Sequence, residues 1–93
     1  MRIPTDMLGV PAIIGAPSDE FGAWVRLVLL CERDYPDGFI PDVSGCTSRA
    51  WLALCGVDKE IVDRESQLWE WRGDDLFVCY FNDLIIANEE DLL

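Results

Sequence analysis

Apolar residues recur at helical spacing through Phe21, Trp24, Val25, Val28 and Leu29, with Leu27, Leu30 and Cys31 widening the stripe. The helix they predict starts at Ser18, which follows Pro17 and precedes Asp19 and Glu20. That order supplies an N-cap and two anions where the helix dipole favours them. Only Arg26 interrupts the apolar run between Gly22 and Cys31, so this helix is expected to be wrapped on most sides and to centre the core. "YPDGFIP" stops it. Pro36 biases Tyr35 away from α conformation, Asp37-Gly38 makes a turn, and Phe39-Ile40 forms a short strand before Pro41.

After a loop over residues 42–45, Thr47 or Ser48 caps a short helix over residues 49–55, with Gly56 as its C-terminal glycine. Asp58 caps a third helix running to about Gln67, in which Ile61, Val62 and Leu68 face inward and Glu60, Asp63, Arg64 and Gln67 face outward. In this helix Glu60 with Arg64 and Lys59 with Asp63 are expected i,i+4 ion pairs. "WEWRGDDLFVCYF" then reads as a hairpin, strands 68–71 and 76–81 turning at Arg72-Gly73-Asp74-Asp75, with Gly73 supplying a positive φ. The return strand is apolar on both faces, so one face packs on the helices and the other is covered by the N-terminal arm or by a partner. Trp69 and Trp71 share a strand face and are either both in the core or both presented to a partner.

Residues 1–17 hold three of the five prolines and two of the seven glycines, which predicts an extended or irregular arm with a possible short strand at 12–14. The tail "NDLIIANEEDLL" is either a terminal helix docked on its own domain or an apolar edge for a dimer or a partner. The fold expected is α+β and winged-helix-like, three helices with a C-terminal hairpin and a short additional strand. It divides into an arm (1–17), one domain (18–82) and an acidic, apolar tail (83–93).

Composition narrows what such a fold does. The chain has 93 residues, so one core is expected, and half of it is apolar, including four tryptophans. Seven Lys and Arg face eighteen Asp and Glu, a net charge of -11. Such a field repels phosphate backbones and anionic headgroups, disfavours nucleic acid, and makes a basic protein surface the better partner. With no histidine the commonest general base is missing, and no nucleophile, phosphate-loop or metal-ligand motif occurs, so neither catalysis nor a cofactor is expected. Asp74-Asp75 and Glu89-Glu90-Asp91 lack EF-hand spacing and read as solvated acids. Cys31, Cys46, Cys55 and Cys79 show no CxxC spacing and read as thiols in a cytoplasmic protein's core. Arg72-Gly73-Asp74 spells an integrin tripeptide, but with no secretory signal expected it reads as a hairpin turn. Asp6, Pro11 and the shortness of "VPAIIGA" count against such a signal, and no apolar run is long enough to span a membrane.

Trp24, Asp37-Gly38-Phe39-Ile40-Pro41, Leu68-Trp69 and Phe81-Asn82 together resemble the N-terminal winged-helix domain of phage replication initiators and DnaD-like proteins, over residues 18–82. The resemblance implies a role in phage or prophage DNA metabolism, with the third helix in a major groove. The charges point elsewhere: from Asp58 to Asp75, Lys59, Arg64 and Arg72 stand against Asp58, Glu60, Asp63, Glu65, Glu70, Asp74 and Asp75, three cations to seven anions. The function expected is therefore non-enzymatic binding of a host or phage protein, as an inhibitor or nucleic-acid mimic. Asp58, Glu60, Asp63, Glu65, Asp74 and Asp75 would form the acidic face, and Trp71, Leu84 and Ile85 the apolar anchors. One alternative is a DNA-binding accessory of phage replication or transcription, which needs Arg26, Arg33, Arg49, Arg64 and Arg72 to converge. Another is a module that self-associates, as a homodimer, through its C-terminal segment.

Overall fold

The computed structural model describes residues 10–91, with side chains described through Ile86. The elements run α1 (Pro11–Ile14), α2 (Ser18–Asp34), β1 (Phe39–Ile40), α3 (Ser48–Cys55), α4 (Lys59–Val62), β2 (Trp69–Arg72), β3 (Asp75–Val78) and α5 (Phe81–Asp91). The three strands form one antiparallel sheet in the order β1-β3-β2. The α+β class therefore holds, with five helices among the described residues where three were expected. Residues 1–9 of the arm, the side chains of Glu89, Glu90 and Asp91, and Leu92-Leu93 lie outside the described residues.

The periodicity of α2 is realised as a buried stripe of Ala23, Trp24, Leu27, Val28, Leu30 and Cys31. Trp24 has no exposed surface and its Nε1 donates to the Cys79 carbonyl at 2.9 Å, which ties α2 to the segment leaving β3. A buried indole N–H needs such an acceptor. The wrapping is less complete than the sequence implied, since Leu29 is 52% exposed. Pro17 rather than Ser18 occupies the N-cap, without a side-chain capping bond, while Asp19 and Glu20 sit in the first turn as expected.

Local chemistry elsewhere follows the sequence closely. Thr47 accepts the Ala50 N–H at 3.1 Å to open α3, and Gly56 closes it in the left-handed region, φ +74°. Asp58 accepts the Glu60 N–H at the start of α4. Gly73, φ +64°, takes the first position of a two-residue hairpin turn. The expected strand at 12–14 is instead the single turn α1, with Pro11 at its first position, where its missing N–H is no loss. The return strand ends at Val78 rather than Phe81. Tyr80 turns into the left-handed region, φ +65°, and its carbonyl accepts the Leu84 N–H as α5 begins.

The expected third helix reaches only Val62, not Gln67. The carbonyls a longer helix would use are taken by the sheet: Trp71 Nε1 donates to the Val62 oxygen at 2.9 Å and Trp69 Nε1 to the Arg64 oxygen at 3.1 Å. The Ser66 hydroxyl also accepts the Leu68 N–H, setting the turn into β2. Trp51 is fully buried and meets Trp71 edge to face, 6.5 Å between ring centres. Its indole nitrogen has no hydrogen-bond partner among the described residues. An unmet donor of this kind costs about 1–3 kcal/mol.

All four cysteines are free thiols. Burial pushes the Cys31 thiol up to about 12. Because the folded thiol keeps its proton to a higher pH than the unfolded one, its stabilising contribution is complete below the unfolded value and is lost as pH rises toward the folded value. Cys31 is accordingly expected to stay unmodified by a thiol reagent at mildly alkaline pH after Cys46, Cys55 and Cys79 have reacted. Mass mapping of labelled peptides checks this, and equal rates at Cys31 and Cys46 would contradict its burial.

Candidate acidic partner-binding face

Asp58, Glu60, Asp63 and Glu65 are all exposed, on α4 and the loop that follows. Their cations are engaged within the chain. Lys59 pairs with Asp63 as expected. Arg64 does not pair with Glu60; it reaches across to the start of α2, 2.8 Å from Asp19 and 3.8 Å from Glu20. There it meets two carboxylates rather than the one that Glu60 would offer. The bond from Arg64 holds the Asp19 carboxyl below the ordinary range, and the same contact raises Arg64.

On the outer face of the sheet Arg72 binds Glu70 at 3.0 Å and stacks over Phe77, 4.5 Å from the ring centre, and Phe39, 5.4 Å. Phe39 and Phe77 are cross-strand partners with ring centres 4.8 Å apart. The apolar outer face predicted for the return strand is thus covered in part by Arg72.

Asp74 and Asp75 belong to the acidic surface but are engaged inside the fold. The Asp74 carboxylate accepts from Ser44 Oγ at 2.7 Å, its carbonyl accepts from the Val43 and Ser44 N–H groups, and Asp75 Oδ1 accepts from the Asp42 N–H at 3.1 Å. Together they clamp the loop between β1 and α3 to the hairpin turn. The Arg72-Gly73-Asp74 tripeptide is part of that clamp.

The three expected apolar anchors fare differently. Trp71 is half-buried on the core side of β2, its indole bonded to the Val62 carbonyl and set edge to face against Trp51. Leu84 is fully buried, which corrects its reading as an exposed anchor: α5 turns this residue inward onto the core. Ile85 is partly buried against the same core, and its neighbour Ile86 is 53% exposed. Trp69 is in the core with Trp71 on the same face, so the both-or-neither expectation holds on the core side.

Arg26 and Arg33 share a shallow groove between α2 and α3 with Leu29, Leu30, Leu54 and Cys55. Arg26 lies over the end of α3, where a Cβ at Gly56 would meet its Nη1 at 2.6 Å. Among the described residues no group of three or more Cys, Asp or Glu is placed to hold a metal ion, and no helix is long and apolar enough to cross a membrane. Sequence reasoning did not single out Glu70 or Ser66. Both flank the open edge of β2, a position that becomes visible only once the strand order is known. Comparison of the chain with protein families, with curated proteins and with solved structures returned no match.

Proposed function

We propose that this chain is a winged-helix-like protein of phage or prophage origin that works in the cytoplasm, without catalysis, by binding a protein that presents a basic surface. One observation carries the reading. Each cation between residues 58 and 75 already faces a carboxylate, Lys59 on Asp63, Arg64 on Asp19 and Glu20, and Arg72 on Glu70. A phosphate backbone would have to break these pairs against a net charge of -11, whereas a basic surface gains from Asp58, Glu60 and Glu65 as they stand.

The winged-helix reading is supported by the succession α2, β1, α3, α4, β2, β3 and by the strand order β1-β3-β2. The DNA-reading role that goes with such folds is not. α4 has four residues and spans about 6 Å, too little to line a major groove with base-reading side chains. If the partner's basic surface ordinarily holds nucleic acid, the chain competes for it as a mimic.

Affinity capture from a lysate of cells carrying the gene tests this. The native chain is expected to retain a basic protein, and a triple variant Glu60→Lys, Asp63→Lys, Glu65→Lys to lose more than about ten-fold of it, as removal of charge complementarity does elsewhere. Undiminished capture by a variant with a native circular dichroism spectrum sinks the acidic face. In parallel, duplex DNA is expected to show no mobility shift with micromolar protein at low salt. A shift that weakens steeply with added salt would instead favour the DNA-binding accessory role.

A further inference from the structure

We infer that the open edge of β2 receives an extended, Lys- or Arg-bearing segment of the partner as an added strand, a reading that rests on the basic partner proposed above and specifies how it is held. The hairpin register sets the geometry. With Gly73 and Asp74 as the whole turn, Arg72 and Asp75 are the closing bonded pair, and bonded pairs recur at Glu70 with Phe77 and at Leu68 with Cys79. The Cys79 N–H does donate to the Leu68 carbonyl at 3.0 Å, and the Val78 N–H points the other way, to Gly38 beside β1, at 2.9 Å. The intervening residues Trp69 and Trp71 therefore turn their N–H and C=O groups away from β3. Because the strand order leaves β2 at the sheet's edge, these two donors and two acceptors have no strand to meet, and no other backbone group among the described residues bonds them.

The surroundings define what fits. A cleft of about 490 Å³ is lined by residues 63–66 and by residues 69–71 of this edge strand. Its charged groups are Asp63, Glu65, Glu70 and Arg64; Arg64 is committed to Asp19 and Glu20, Asp63 to Lys59 and Glu70 to Arg72, so Glu65 is the carboxylate of this cleft with no ion pair among the described residues. β2 has four residues, about 13 Å of ladder, enough for a short strand. The two tryptophans, which both line the cleft, are fixed by their own indole bonds to the carbonyls of Arg64 and Val62, so the edge is preorganised. A strand laid here gains main-chain bonds from Trp69 and Trp71 and meets the unpaired carboxylate of Glu65, with the paired Asp63 and Glu70 beside it, so three acids against one arginine in the lining favour a cationic side chain.

A second copy of the chain fits this edge poorly. The antiparallel register that uses all four outward groups on both copies sets Glu70 directly opposite Glu70, and like charges so placed are destabilising. Each copy also carries a net charge of -11.

The test is amide NMR on the full chain, titrated with a short capped peptide of alternating Lys and Val and with the same peptide N-methylated at alternate residues. The plain peptide is expected to shift the Trp69 and Trp71 amides and slow their exchange with solvent. N-methylation is expected to weaken binding by at least about ten-fold, because it removes ladder bonds and keeps the charge. A Glu65→Lys, Glu70→Lys variant, whose exposed side chains leave the core untouched, should lose the plain peptide to a similar degree. Equal binding of both peptides with no change in Trp69 and Trp71 exchange overturns strand addition and leaves the acidic face standing. Failure of both peptides to bind at millimolar concentration likewise overturns strand addition, while capture of the basic protein by the native chain decides the face separately. Slowed exchange at Trp69 and Trp71 that grows with protein concentration alone makes a second copy the occupant and overturns the basic strand.

Discussion

Trp24→Ala is expected to remove about 3–5 kcal/mol of the stability of the chain. The side chain has no exposed surface, and it reaches from the middle of α2 to the Cys79 carbonyl beyond β3. Truncating a buried tryptophan costs about 3–5 kcal/mol, which is a large share of the roughly 5–15 kcal/mol that holds a domain of this size together. Urea unfolding followed by far-ultraviolet circular dichroism measures it. Trp24→Phe serves as the control that keeps most of the volume and forfeits the hydrogen bond, and it should fall between alanine and the native residue. A Trp24→Ala chain as stable as the native one would mean that α2 does not centre the core.

Leu84→Ala is expected to cost about 2–5 kcal/mol, while Ile86→Ala changes stability by less than about 0.5 kcal/mol. The two residues are two positions apart on α5, one with no exposed surface and the other 53% exposed. The contrast tests whether α5 docks on the domain, because an undocked helix would make both substitutions equally mild. It also separates a structural from a binding role: a Leu84→Ala chain held folded at low temperature should still capture the basic partner.

Legibility in the sequence followed the range of the interactions that decide each element. The stripe of α2, the Thr47 cap with its closing Gly56, the Asp58 cap and the Gly73 turn all depend on neighbours within a few residues. Those were readable. The end of α4 was not, because two indoles from a strand later in the chain bond the carbonyls of Val62 and Arg64 that local propensity would have given to further helical turns. The partners of Arg64 lie beyond local rules for the same reason: i,i+4 spacing offers Glu60, whereas Asp19 and Glu20 lie forty-odd residues earlier in the chain. For the candidate site, the sign of the surface could be read from composition, but the exposure of individual groups could not. Leu84 and Ile85 look alike in sequence, and only the helical phase of α5 sends Leu84 into the core. Asp74 and Asp75 look like free turn acids until the loop from β1 to α3 is seen folded against them.

That clamp has a practical corollary for anyone wishing to modify the molecule. Tips of hairpins ordinarily accept epitope tags and extra residues, but lengthening the chain between Gly73 and Asp74 would pull the receptor oxygens away from residues 42–44 and loosen two connections at once. A side chain at Gly45, beside the clamped residues, would meet nothing within 4 Å of its Cβ, so a single substitution there is the gentler way to place a label.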